Sequence, residues 1–456
     1  MQNKFNKLSW AVAIAAATFA GQASAGGYQI NEQSVSGQGY GHAGRSSNVH
    51  DATIVFGNPA GMSFLDRAQV TAGGTYLDVS SDISNVQANA MLDSGFAATG
   101  NPANATGQQV PVGTIPGTSE GDMVPGKLIP FAFYAQPLNE RLAFGFGVYA
   151  PFGSMTEYEE GFQGRYFGDY TEVRVVSAQP TLSYRINEQW SVGAGITYNR
   201  VEGELRRRVP GNPAQPFDPS ADIDSRVEGD DDGWGYNLGV IYQPVPETTL
   251  GLTYRSEVDY TLTGDFRATA PDGSIALDPN TGVPLQDSAS LDLTTPETVN
   301  FSVTQQMSDR LKLMFGASWT RWSRFDQILV TGSQGQQITQ ETQDYSNAWA
   351  FAVGGEYQLN PQLALRAGVS LDNTPTSDQH RSVRIPSDDR RIFSIGAGWT
   401  PIEDLTLDFA YSYLTERSTR ISQSRDDLYS GLGGATYAAD YKNEAHGFGA
   451  QLTYRF

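Results

Sequence analysis

His446-Gly447-Phe448-Gly449-Ala450-Gln451-Leu452-Thr453-Tyr454-Arg455-Phe456 closes the chain on a two-residue period. A strand sends alternate side chains to opposite faces, so Phe448, Ala450, Leu452, Tyr454 and Phe456 share one apolar, aromatic face. The residues between them are small or polar. A soluble sandwich could end on such a strand, but here the same pattern recurs along the chain behind an export signal. The stretch therefore reads as the last strand of an all-β, about fourteen-stranded antiparallel transmembrane barrel.

The export signal is at the other end. Lys4 and Lys7 precede an apolar run from Leu8 to Ala20, and Ala23-Ser24-Ala25 offers the small residues of a cleavage site. Residues 1–25 are expected to be a signal peptide, because the run is shorter than the about 20 residues a membrane helix needs. The absence of cysteine excludes disulfides, thiol chemistry and Cys-ligated metals. With 39% hydrophobic residues the rest of the chain offers no membrane helix, whereas a barrel needs only half of each strand to be apolar. The formal charge of -20 falls to -22 once Lys4 and Lys7 leave, which disfavours nucleic acid as a partner. Most of that charge belongs on solvated loops, with divalent bridging to anionic outer-leaflet lipid and lipopolysaccharide as the alternative.

Residues 26–66 lack strand alternation and are rich in Gly, Ser and Asn. Ile54, Val55, Phe56, Met62, Phe64 and Leu65 argue against a solvated tail, so this segment is expected to fold inward as a plug, or hatch, in the lumen. The barrel, 67–456, is expected from strands near 68–80, 127–137, 141–150, 171–186, 190–205, 232–244, 249–262, 294–307, 311–325, 344–359, 363–371, 391–400, 405–414 and 444–456. Short connections such as Ile186-Asn187-Glu188-Gln189-Trp190 and Leu359-Asn360-Pro361-Gln362-Leu363 carry turn formers and read as periplasmic. The long connections read as extracellular loops, which leaves both termini periplasmic in a Gram-negative type outer membrane.

Tyr28-Gln29-Ile30-Asn31-Glu32, Asn58-Pro59-Ala60 and Leu252-Thr253-Tyr254-Arg255-Ser256-Glu257-Val258 resemble the long-chain fatty acid transporter family of outer-membrane proteins, which includes aromatic-hydrocarbon channels. Ile385-Pro386, Asp389-Arg390 and the Phe152-Gly153 region add to the likeness, which covers essentially the whole mature chain. It implies a hatch, and a kinked third strand that opens sideways toward the membrane. The residue types fit that implication. A hydrophobic cargo in an aqueous pore keeps its apolar surface wet at about 25 cal/mol per Å², which a route ending in the bilayer avoids. Gly145, Gly147, Pro151, Phe152 and Gly153 are the residues expected at the side opening, since proline lacks a ladder donor and glycine bends sharply. Asn58, Pro59 and Ala60 are expected to gate the hatch, and Phe56, Phe64 and Leu65 to touch the hydrophobic substrate.

A fatty-acid carboxylate needs donors once desolvated, and Arg200 and Arg206, in or beside the run ending at Arg208, are the candidates for it. The chain departs from the family after Trp322, where Leu329 and Val330 stand in place of an expected lysine, so a monoaromatic such as toluene is the alternative cargo. Gly39-Tyr40-Gly41-His42-Ala43-Gly44 has dinucleotide-loop spacing without the strand and helix it requires. His42, His50, His380 and His446 lack zinc spacing, and no serine is placed beside a histidine, so no metal, cofactor or catalytic residue is expected. A general porin would have little use for a plug, and a receptor role for the loops stays open. A monomer is expected.

Overall fold

The computed structural model describes residues 27–211, 217–278, 281–428 and 432–456, so the leader expected over 1–25 lies outside the described residues. Fourteen antiparallel strands close on themselves. In chain order they are β1 (Gln69–Asp93), β2 (Lys127–Pro137), β3 (Leu142–Glu157), β4 (Tyr170–Arg185) and β5 (Trp190–Val209). Next come β6 (Ile223–Val245), β7 (Thr248–Arg255 continued by Val258–Thr269), β8 (Gln286–Thr295 continued by Thr298–Gln306) and β9 (Leu311–Thr320). The ring finishes with β10 (Ala348–Asn360), β11 (Leu363–Asp372), β12 (Arg390–Ile402), β13 (Leu405–Glu416 continued by Thr419–Leu428) and β14 (Gly433–Arg455). β14 pairs with β1 from Gln69↔Arg455 to Leu92↔Gly433, which leaves no open edge there.

The alternation read in the sequence sets the two faces. Ile196, Leu252, Phe315, Ile395, Phe409 and Phe448 are exposed, whereas Thr181, Ser191, Thr253, Ser302, Asp408 and Thr453 are buried. This is the inverse of a soluble protein and fits a wall bathed in lipid. Two aromatic pairs mark the limits of the apolar band: Trp190–Tyr242 at 4.2 Å and Tyr198–Trp234 at 5.2 Å between ring centroids. They stand eight residues apart on β5, about 27 Å along a strand at about 3.4 Å per residue, a span that matches the about 25 Å apolar band once tilt is allowed for.

Several strands run further than the sequence indicates. β1 reaches Asp93 rather than 80, β6 starts at Ile223 rather than 232, and β14 starts at Gly433 rather than 444. Beyond the bilayer neither face must be apolar, so the ladder continues through Ser80-Ser81-Asp82 and Asp230-Asp231-Asp232 with no alternation to reveal it. The strand expected over 311–325 instead ends at Thr320 and turns through a short 3-10 helix, Trp322–Arg324.

Residues 27–65 form α1 (Val35–Gly39), α2 (Ile54–Gly57) and a 3-10 helix, Pro59–Phe64. They touch the wall all the way round. A Cβ added to Gly193, Gly239, Gly251, Gly316, Gly354 or Gly396 would overlap Pro59, Asn58, Ser46, Ala43, Tyr40 or Gly39 respectively. A segment in contact with six strands spread around a closed ring reaches them from the lumen. The wall's inward glycines are thus where its backbone and the segment's backbone meet.

Candidate functional site

Next to this segment the ladder between β2 and β3 breaks. β2 and β3 pair from Pro137↔Ala143 to Ala132↔Val148 and no further, although β2 keeps pairing with β1 as far as Lys127. β3 then bulges between Tyr149 and Phe152 against β4. Lipid does not tolerate unpaired backbone groups, and here the N-terminal residues supply the partners. Ile30 N donates to Pro151 O at 2.9 Å, and Gly153 N donates to Tyr28 O at 2.7 Å. Gln29 faces Phe152 as an antiparallel pair, and Gln33 Nε2 donates to Ala150 O at 2.5 Å. Ile30 packs with Leu77, Ile129 and Ala150 in the gap.

Pro151, Phe152 and Gly153 therefore lie at the break, but Gly145 and Gly147 do not. Both remain in the ladder, opposite Ala135 and Phe133. A side chain at Gly145 would strike Met62 and Val55, and one at Gly147 would strike the Phe133 ring. Those two glycines are small to make room, not to bend the strand.

Asn58 is fully buried and tied on three sides. Its Nδ2 donates to Ser46 O at 2.7 Å and Val240 O at 3.0 Å, while Oδ1 accepts from Ala60 N at 3.0 Å. Pro59 starts the 3-10 helix, where its missing N–H costs nothing. Ala60 O accepts from Ser183 and Ser191 at 2.9 and 2.8 Å. The motif thus joins the segment to β4, β5 and β6. Phe56 lines one cavity within the segment and another between segment and wall. Phe64 does not: it lies under the Arg185 guanidinium, 4.6 Å away, and Leu65 packs into the segment–wall cluster with Phe131 and Ala135.

Above the segment is an apolar cavity of about 780 Å³. Tyr28, Leu262, Leu293, Phe325, Ile328 and Ile385 line it, and Arg384 bounds it. Tyr28 anchors an aromatic cluster, with its ring 4.7 Å from Trp322 and 5.5 Å from Phe325. Gly27 has φ +66, and a Cβ there would overlap the Trp322 ring, so glycine is required. The Tyr28 hydroxyl and Ser154 Oγ are buried without a hydrogen-bond partner among the described residues. Val330 is fully buried in the same cluster, so that position contributes apolar surface and no cation. Tyr28 and Ile385 carry part of the family resemblance, but nothing in their spacing places them on one cavity.

Arg200 and Arg206 point away from it. On β5 Ile196 and Tyr198 are exposed and Val201 is buried, so even-numbered residues face outward. Arg200 pairs with Asp230 at 2.9 Å and Asp232 at 3.3 Å on the outer surface. Arg206 pairs with Glu204 and covers the Tyr170 ring at 4.5 Å. Neither reaches the apolar cavity, which corrects the expected headgroup contact; Arg207, of opposite parity, is the inward member, and its Nη1 has no hydrogen-bond partner among the described residues. Arg200→Ala and Arg206→Ala are expected to change cargo uptake by less than about twofold, because neither side chain lines the apolar cavity. A loss much larger than that would return them to the pathway.

On the far side of the lumen the segment is held by charge. Arg366 donates to Glu356 at 2.7 Å, to Asp408 at 2.5 Å, and its Nη2 lies 3.0 Å from His50 Nε2. Gln451 Nε2 bridges Asp408 and Asp51 at 3.2 and 2.8 Å. His50, Asp51 and Asp408 have the spacing of a metal site, but the Arg366 guanidinium already supplies their cation.

Residues 16–456 match the model of the outer membrane protein transport protein family (OMPP1/FadL/TodX). The chain is 26% identical to a long-chain fatty acid transport protein of Escherichia coli O6:H1, over 98% of each chain. It is 28% identical to outer membrane protein P1 of Haemophilus influenzae, over 99% of this chain and all of that one. A Pseudomonas aeruginosa FadL homologue superposes with a TM-score of 0.80 at 26% identity, covering 94% of this chain and 99% of that one. A Ralstonia pickettii toluene transporter shares the fold alone, with a TM-score of 0.61 at 15% identity over 92% and 99% of the two chains.

Proposed function

We propose that this chain, which belongs to the outer membrane protein transport family (OMPP1/FadL/TodX), takes up long-chain fatty acids or related lipids passively through the flank of its barrel. The observation that carries this reading is the gap between β2 and β3, closed by residues 28–30 with Gln33. Tyr28 belongs to both that closure and the apolar cavity, so a cargo in the cavity competes for the residue that shuts the wall. Residues 26–66 then act as a hatch whose shift lets the cargo leave into the bilayer rather than into water. No catalytic role is assigned.

A monoaromatic hydrocarbon is the second reading, favoured by the apolar Val330 in the aromatic cluster. Cells lacking such channels, given this protein, are expected to gain uptake of a long-chain fatty acid; uptake of toluene alone would favour the second reading. Large small-ion conductance from the purified protein, with no gain for either cargo, would favour a general porin. Asn58→Ala with Pro59→Ala removes the ties to Ser46 O and Val240 O. It is expected to lower uptake severalfold with barrel assembly intact, and unchanged uptake would remove the motif from gating.

A further inference from the structure

We propose that Arg45, Arg255 and Asn237 form a carboxylate-binding station in the lumen beside Phe56, separate from the apolar cavity above. This rests on the uptake reading and narrows it to amphiphiles that carry an anionic head. All three residues line one cavity together with Phe56 and Gln29. The Arg255 guanidinium lies 4.6 Å from the Phe56 ring centroid and that of Arg45 lies 6.0 Å from it.

Neither arginine has a carboxylate partner among the described residues. Arg45 donates only to Asn31 O, at 3.4 Å. Arg255 donates to the Tyr149 hydroxyl at 2.6 Å, to Gln179 Oε1 at 3.5 Å and to Phe56 O at 3.4 Å, all neutral acceptors. Arg366, by contrast, is matched by Glu356 and Asp408. Burial lowers the Arg45 guanidinium to about 10 against the opposing fields of the Glu32 and Asp372 carboxylates, so it remains charged at neutral pH while donating to no carboxylate.

Asn237 gives the independent sign. It is 2% exposed, sits directly across the ladder from Arg255, and neither its Nδ2 nor its Oδ1 has a hydrogen-bond partner among the described residues. Buried amides are almost always satisfied, so one left open in a cavity with two guanidinium groups that donate only to neutral acceptors marks a place for a polar guest. The donors available are those a carboxylate accepts from, and charge-assisted bonds of this kind are the strong ones. Arg255 also holds Tyr149, the residue at which β3 begins its bulge. A head seated here is therefore one hydrogen bond away from the wall break.

The test compares laurate with dodecanol, the same chain with and without the charge, by calorimetric titration of the full-length protein in a neutral detergent. The wild type is expected to bind laurate about tenfold more tightly or better. Arg45→Gln and Arg255→Gln are each expected to remove about tenfold for laurate and nothing for dodecanol, with Arg45→Lys retaining most of the preference. Asn237→Ala breaks no hydrogen bond of the protein, so it folds and is expected to weaken laurate alone. Equal binding of laurate and dodecanol by the wild type overturns the proposal, as does an equal loss of both in the glutamine variants, which signals packing. If dodecanol and toluene still bind and enter cells in those cases, the uptake reading survives without the station. If the wild type binds none of the three, the uptake reading itself fails.

Discussion

Uptake falls to the level of cells lacking the protein when Gln29→Cys and Phe152→Cys are joined by a disulfide, and returns on reduction. Gln29 and Phe152 oppose each other between the two hydrogen bonds Ile30 N to Pro151 O and Gly153 N to Tyr28 O. They are therefore a non-hydrogen-bonded antiparallel pair, whose Cα atoms lie about 4.5 Å apart, within the about 4.4–6.8 Å that a disulfide spans. The chain has no cysteine of its own, so the bond forms in one place. Locking the pair keeps Tyr28 and Ile30 in the break. Binding of cargo to the purified oxidised protein should persist while transport stops. Equal uptake in oxidised and reduced cells would mean that cargo leaves elsewhere, most directly along the lumen. Partial uptake in proportion to uncrosslinked protein, read on a non-reducing gel, would agree with the lateral route.

The barrel was legible because lipid imposes a period. Where one face of a strand must be apolar, as from Leu363 to Leu371 or from Leu405 to Tyr413, the pattern locates the strand within a few residues. Where both faces meet water, as in the upper half of β1 or β6, the strand leaves no such mark. Parity was also readable, and it alone would have excluded Arg200: counting in twos from Trp190 or Ile196 puts it on the lipid side. The kink was half legible. Proline and glycine pointed to Pro151 and Gly153, but the same residue type at Gly145 and Gly147 served a different end, because a wall packed against an inner segment also needs small residues. Composition does not separate glycine that bends from glycine that yields space. Arg45 and Arg255 lie far apart in sequence with nothing between them to suggest a meeting. Their shared environment exists only once residues 27–65 are placed inside the ring.

Removal of Arg366 is expected to lower stability by about 3–5 kcal/mol, the usual consequence of leaving a buried charge without its partner. Arg366→Met fills similar volume but strands Asp408, which is fully buried and whose other ties are the Gln451 amide and neighbouring polar groups. Glu356 fares better, because Lys312 Nζ stays within 3.3 Å of it. The double variant Arg366→Met/Asp408→Leu is therefore expected to recover most of the loss, since the stranded charge is gone and Glu356 keeps Lys312. Folded barrels migrate differently from unfolded ones on a gel, so the temperature at which the folded band disappears orders the three proteins. The expected order is wild type, then the double variant, then Arg366→Met well below. Because His50 and Asp51 meet this cluster from the lumenal segment, Arg366→Met should also loosen that segment and raise small-ion conductance before the wall itself gives way. A single variant as stable as wild type would show that Asp408 is neutral in the folded barrel, and that the segment is held by packing against the wall's glycines instead.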